Sequence, residues 1–426
     1  MVTLKSFLGM IAAVPFIMAC NQTGQVNATL FPASGSENVN PDTHLVLTFS
    51  ETPVLGDSGM IRVYDAVTDQ VVDSLDLSIP SGPTESRTYD PECDYTKVPY
   101  DYTRTVVPTN KDTRPGTPSG TAEPTPPVYQ LTIIGGFTDA FHFYPVIVRD
   151  SIATIYLHNN MLEYGHTYYV TIDNGVLNLA DGSFQGVTKE DEWTFTTKSD
   201  MPELSDTLIV DATGKGDFNT VQGALDFIPD FNEQQTVILV NPSDYEELVY
   251  TRNKWNVKIK GAGMADTKVH YANNEVFNPH PLTVKTNEWP GTFPSRRAAF
   301  MLDNCKDIVI EDMTIATDLK GQAEGLLING ERIALYRVHI IGSGDALQAN
   351  GTIYMESCEL DGGGDTILGR GSLFAYKSNF RNGGGPFSWV RNTAGNHGNV
   401  FVECTFSTED GKQADYGRTK SNHGSA

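Results

Sequence analysis

Two aspartates, Asp345 and Asp365, lie twenty residues apart, and each ends a glycine-rich approach, "GSGD" and "GGGD". Glycine and aspartate are frequent at turns because both tolerate unusual backbone angles, so each one alone reads as surface decoration. Taken together they offer chemistry. Two carboxyls held about 5 Å apart, one strand spacing, cannot both ionise comfortably. One proton affinity rises while the other stays low, which divides the pair into a proton donor and a nucleophile at neutral pH. The requirement is a scaffold that sets both residues at the same place on adjacent layers.

A countable repeat supplies such layers. "RIALYRVHIIGSGDAL" (332–347), "TIYMESCELDGGGDTI" (352–367) and "SLFAYKSNFRNGGGPF" (372–387) align at intervals of twenty. Ile333, Ile353 and Leu373 correspond, as do Leu335, Met355 and Ala375, and Ile340, Leu360 and Phe380. Residues 307–317 form an earlier copy, 25 residues ahead of its counterpart, and residues 400–406 a later one. A period of this length, made of strands and Gly/Asn turns, predicts a right-handed parallel β-helix whose coils bury their apolar faces only by stacking. Asp345 and Asp365 then share one column. The interval puts Gly385 at that place in the next coil, which predicts a pair of carboxylates and no longer ladder. The glycines are expected to leave the surface open to a substrate. Cys358 and Cys404 fall two rungs apart, roughly 9.6 Å, too far for a disulfide, and are expected as buried free thiols.

The stretches "VDATGKGDFNTVQGALDFIP", "GQAEGLLINGERIALYRVHIIGSGDALQANG" and "GGGDTILG" resemble the pectin methylesterases, a β-helical family of carbohydrate esterases. In that family a Gln-Ala, an Asp-Thr-Leu and an Asp-Phe-Ile-Phe-Gly segment follow one another at similar spacing, and the resemblance covers about residues 207–420. It implies hydrolysis of the methyl esters of pectin (homogalacturonan) to demethylated pectin and methanol, with no metal and no cofactor. By position it implies Asp365 as the nucleophile and Asp345 as the acid that protonates departing methanol and then the base that activates water. Gln322 is implied as an oxyanion donor, worth about 3 kcal/mol. Arg418, in "YGRTK", is implied as the arginine that orients the nucleophile. The sequence departs from the family in three places: Gly344 stands where a second oxyanion Gln is usual, "DTILG" replaces an aromatic segment, and no Pro-Trp follows Arg418. Trp389 is an alternative surface for stacking a sugar, and with Gly344 and Arg391 it makes up the candidate substrate contacts. Relatives continue for several coils past the arginine while eight residues follow it here, so the β-helix is expected to be incomplete at its C-terminal end.

Ahead of the repeat, residues 21–200 carry strand-like segments such as "THLVLTFSE", "MIRVYDAV", "HTYYVTI" and "EWTFTTK" with no helical period. They predict a β-sandwich, and both ends of the region resemble a bacterial Ig-like domain. A Pro/Thr/Asp-rich loop is expected from about Pro80 to Pro127, and "KSDMPELSD" (198–206) reads as a polar linker to the β-helical region, 207–426. Such modules serve as spacers or in binding. The first twenty residues read as a secretory signal, and Ile17-Met18-Ala19-Cys20 resembles the lipobox of bacterial lipoproteins. This implies cleavage before Cys20, lipid on its sulfur, and an exported chain tethered at an outer membrane or cell surface by lipid alone.

The formal net charge of −23 argues against nucleic acid and against docking on anionic lipid. It is compatible with esterified pectin, whose carboxyls are masked, and a monomer is expected. Three other readings compete, one of them an esterase or thioesterase on the same scaffold that acts on an acyl group unrelated to pectin. A β-helical polysaccharide lyase needs a Ca²⁺ cage and a base, for which Arg370, Arg391 and Arg418 are available but Asp345 and Asp365 alone are a poor cage. A cell-surface glycan-binding protein with a decayed or incomplete esterase site would keep binding without methanol release. No Gly-x-Ser-x-Gly, His-Glu-x-x-His or Cys-x-x-Cys motif supports other chemistry.

Overall fold

The computed structural model describes residues 26–84, 129–137, 140–204, 207–278, 296–390 and 397–419. The leader with Cys20, most of the Pro-rich insertion, and Arg391 lie outside these residues. The architecture is all-β, with a single short helix among the described residues.

The first part is a two-sheet β-sandwich. One sheet orders Thr29–Phe31, Leu45–Thr48, Ile152–Ile155 and Val146–Arg149; the other orders Ser36–Val39, Thr194–Thr197, Thr167–Ile172, Met60–Asp65 and Gln70–Asp76. Along Met60–Asp65 burial alternates strictly, so Ile61 and Val63 point inward, as a half-buried strand requires. They meet Leu45, Leu47, Ala153 and Ile155 from the facing sheet in one core with the fully buried Trp193.

The second part is a parallel coil of three sheets. The registers confirm the counted columns: Ile333 pairs with Ile353 and Ile353 with Leu373, while Ile340, Leu360 and Phe380 align on the second sheet. One core cluster runs from Leu208 to Phe387 through these inward columns. The corners between the first and second sheets fall on Asp312, Arg337, Ser357, Lys377 and Glu403, all with left-handed backbone. Helix α1 (Val221–Phe227) puts Val221, Ala224 and Leu225 into the first end of the core, with Thr220 capping it by accepting from the Gly223 N–H. Cys358 and Cys404 carry free thiols with Ser378 on the rung between them; Cys358 is buried and Cys404 half-buried.

The N-terminal part packs directly against the coil. Ile134, Phe137 and Phe141, from the segment that carries the separate hairpin of Leu131–Thr132 and Phe141–His142, pack on Tyr250, Met301 and Leu327 of the third sheet and on Tyr271 at the end of the second. Asp42 accepts from the backbone N–H groups of Asn219 (2.9 Å) and Thr220 (2.8 Å), and the guanidinium of Arg296 donates to the Ala140 carbonyl at 2.7 Å. Among the described residues no helix is long and apolar enough to cross a membrane.

Candidate active site

The aspartates occupy the corner that leads into the third sheet. Leu326 pairs with Leu347 and Leu347 with Ile367, so the residues two places before each, Glu324, Asp345 and Asp365, form one column on three successive rungs. The expected pair is therefore the end of a three-carboxyl ladder. It was missed because the coil carrying Glu324 lies 21 residues back, outside the interval of twenty. The following rung differs as well. Ile367 pairs with Ser388, which sets Pro386 beside Asp365 and places Gly385 against Gly364.

The glycines answer to the stack itself. A Cβ on Gly344 would lie 2.7 Å from the Gly321 carbonyl oxygen, and one on Gly364 would lie 2.6 Å from that of Gly344. Backbone rests on backbone at this corner, leaving no room for a side chain. A side chain at position 344 would require the coil beneath to move.

Asp345 and Asp365 are both buried, each with 4% of its surface exposed. The Asp365 N–H donates to Asp345 Oδ1 at 2.9 Å, and Arg297 Nη2 donates to Asp345 Oδ2 at 3.2 Å. Burial, and then the negative charge of Glu324, raise the Asp345 carboxyl to about 7; Arg297 opposes this and Asp365 adds to it. The Arg297 guanidinium also grips Glu324 through Nε (2.7 and 3.0 Å) and donates through Nη1 to Gln322 Oε1 at 2.9 Å and to Glu275 at 3.4 Å. Gln322 itself is exposed, as are its chain neighbour Gly321 and, two rungs on, Gly363. The corner thus sets a buried carboxyl that keeps its proton near neutrality beside a second buried carboxyl on the adjacent rung, with an exposed side-chain amide tied to the first through Arg297. Those are the parts of an acyl-transfer site.

Asp365, Asp345 and Gln322 are brought together, with Gly344 between them in the stack. Trp389 is half-buried one rung further on, paired with Leu368. The backbone of Arg418 pairs with Trp389, two rungs from Leu368 or roughly 9.6 Å, and its side chain is not described. Arg297, Glu324 and Glu275 are the residues that sequence reasoning missed. Arg297 precedes the countable repeat, but Glu324 was reachable by counting back two from each inward leucine or isoleucine.

The coil matches a known family. Residues 207–383 fit the model described as Pectinesterase. Among curated proteins, Pectinesterase QRT1 of Arabidopsis thaliana is 30% identical over 170 residues, covering 38% of this chain and 43% of that protein. Pectinesterase 31 of the same plant is 28% identical over 165 residues, covering 38% of this chain and 51% of that protein. The chain thus spans about half the length of these relatives. Among solved structures, carrot pectin methylesterase overlaps 52% of this chain and 71% of its own, at 17% identity and a TM-score of 0.43. The pectinesterase match takes in Gln322, Asp345 and Asp365 and stops short of Trp389 and Arg418.

A separate cluster, Glu246, His270 and Asp318, brings three potential metal ligands together. Arg149 already lies against it, 2.5 Å from Glu246 and 3.9 Å from Asp318, and supplies the positive charge that a cation would bring.

Proposed function

We propose that the chain hydrolyses the methyl esters of pectin, and the observation that carries this reading is the Asp345–Asp365 column within the pectinesterase-matching segment. The Asp365 carboxylate attacks the ester carbonyl, and the negative charge that develops on oxygen is met by the N–H₂ group of Gln322. Asp345 gives its proton to the departing methoxide, so methanol leaves and an acyl anhydride on Asp365 remains. Asp345, now ionised, takes a proton from water as the water oxygen attacks that anhydride. Collapse restores the Asp365 carboxylate and the protonated Asp345, and the product leaves as a uronic acid that ionises in solvent. An Asp345 that holds its proton near pH 7 fits the first step, and its return to that state closes the cycle.

Trp389 and Arg391 remain candidate sugar contacts and Arg418 a candidate partner of Asp365. Export and lipid attachment at Cys20 complete the reading, supported by the leader sequence; labelled palmitate incorporated by the wild type and absent from Cys20→Ala is the expected result. The deciding experiment measures methanol from highly methylated pectin with EDTA present. Release that resists the chelator and vanishes in Asp365→Ala supports the carboxylate mechanism. A folded wild type that retains glycan binding but releases no methanol overturns it in favour of the binding protein, and EDTA-sensitive chain cleavage favours the lyase.

A further inference from the structure

We propose that Arg297, held by Glu324, is the positioning residue of this site: one guanidinium fixes the outward direction of the Gln322 amide and the plane of the Asp345 carboxyl. The inference rests on the esterase reading and goes beyond it, since neither residue belongs to the set implied by the resemblance.

A guanidinium has five N–H donors and no acceptor. The Gln322 atom that lies 2.9 Å from Nη1 must therefore be the amide oxygen, which turns the N–H₂ group away from Arg297. An exposed glutamine otherwise flips freely and offers either end. With its oxygen claimed, it can present only donors to a developing oxyanion. On the other side, Asp345 has one donor on each oxygen, the Asp365 N–H on Oδ1 and Arg297 Nη2 on Oδ2, and this fixes its rotation.

Glu324 is what lets Arg297 stand beside an acid. An unpaired guanidinium 3.2 Å from Asp345 would hold that carboxyl ionised and remove the proton donor. Glu324 has no exposed surface and approaches Arg297 Nη2 to 2.5 Å, so the pair is nearly neutral to its surroundings. The charged groups acting on Asp345 are then Glu324 and Asp365, which favour its proton, and Arg297, which opposes it; Glu275 acts on Arg297 from beyond. The backbone also places Arg297 firmly. Its neighbour Arg296 turns the opposite way, under the hairpin of Leu131–Thr132 and Phe141–His142, with its guanidinium 4.2 Å from the centre of the Phe141 ring and bonded to the Ala140 carbonyl. That hairpin thereby anchors the two-residue segment that orients the site.

The test uses the full chain and three variants: Glu324→Gln, Arg297→Lys, and Arg297→Met/Glu324→Gln, which removes both members of the buried ion pair. Each is first shown to fold by its melting transition. Carbon-13 NMR follows the Asp345 carboxyl through pH, and methanol release gives kcat and KM. Glu324→Gln is expected to lower the midpoint of Asp345 by about one pH unit or more and to move the alkaline limb of kcat/KM down with it. The double variant is expected to lose about 10²-fold in kcat with KM little changed, because Gln322 is free to flip. Arg297→Lys, which keeps the charge and loses the fork, is expected to recover less than half of that loss on a logarithmic scale. An Asp345 midpoint unmoved in Glu324→Gln overturns the inference, and so does a folded double variant with wild-type kcat. Should Glu324→Gln not fold, the double variant carries the decision. If the wild type releases no methanol, the esterase reading fails by itself, and the titration still judges the placement of Arg297 and Glu324.

Discussion

Glu247 and Asp345 are buried carboxyls, 5% and 4% exposed, and burial raises both to about 7. Their surroundings differ. Glu247 accepts the Val221 and Gln222 N–H groups at 2.8 and 2.9 Å, and beside it Asp42 serves Asn219 and Thr220 in the same way. Those of Thr220, Val221 and Gln222 are unpaired N–H groups at the start of α1, Asn219 directly precedes them, and both carboxyls are consumed in satisfying these donors. Asp345 accepts one backbone N–H and shares a single guanidinium with two other carboxyls and an amide, at a corner where Gln322 and Gly363 are exposed. A raised proton affinity therefore does not mark a catalytic group here. The marks are the donors that Asp345 shares and its place one rung from a second carboxyl.

The largest expected effect separates the two groups directly. Asp345→Asn should lower kcat for methanol release by about 10²–10⁴-fold, the range of general acid–base catalysis. Glu247→Gln should leave kcat per folded molecule unchanged and lower the melting temperature, because its N–H₂ group would face two backbone donors. Equal losses of activity in the two variants would erase the distinction.

Next in size is the join between sandwich and coil. Asp42→Ala strips acceptors from buried N–H groups of Asn219 and Thr220 and should cost about 1–3 kcal/mol of stability, read from urea unfolding, with kcat unaltered. A loss of activity without a loss of stability would mean that this join reaches the site.

The sequence disclosed the coil and its two aspartates because stacking turns a period into a column, and Ile333, Ile353 and Leu373 could be counted. It hid Glu324 because the preceding coil is one residue longer than the counted interval, and the glycine columns shift by one again at Pro386. It hid Arg297 because nothing local marks an arginine as facing a site when its neighbour Arg296 turns into a core. The packing of Phe137 and Phe141 on Tyr250 and Met301 was equally out of reach. Those contacts join residues more than a hundred positions apart, across a boundary whose polar composition reads as a linker.

The pH profile of catalysis sharpens the comparison further. The acid must be protonated when substrate binds, so kcat/KM should fall tenfold per unit above about pH 7 as Asp345 ionises. The wild type alone checks this, by methanol release between pH 5 and 9 in constant ionic strength. Glu247→Gln should leave that limb where it is. A limb that follows Glu247 would assign the acid to the wrong carboxyl.

The smallest effect lies in stability, where the two groups should act alike. The folded chain binds a proton at Glu247 and Asp345 more tightly than the unfolded chain, since ordinary values near 4.5 and 3.8 rise to about 7. Each contribution is complete below the ordinary carboxyl value and is lost as pH rises through 7, with a slope of at most about 1.4 kcal/mol per pH unit per group. Melting temperature should therefore decline from about pH 5 to pH 7. Removing either carboxyl should flatten that decline by a similar amount, although only one of the two removals touches catalysis. Scanning calorimetry across that window checks the sign. A rise with pH would mean that the donors around these carboxyls outweigh their burial, and the raised proton affinity assigned to Asp345 would have to be abandoned along with that of Glu247.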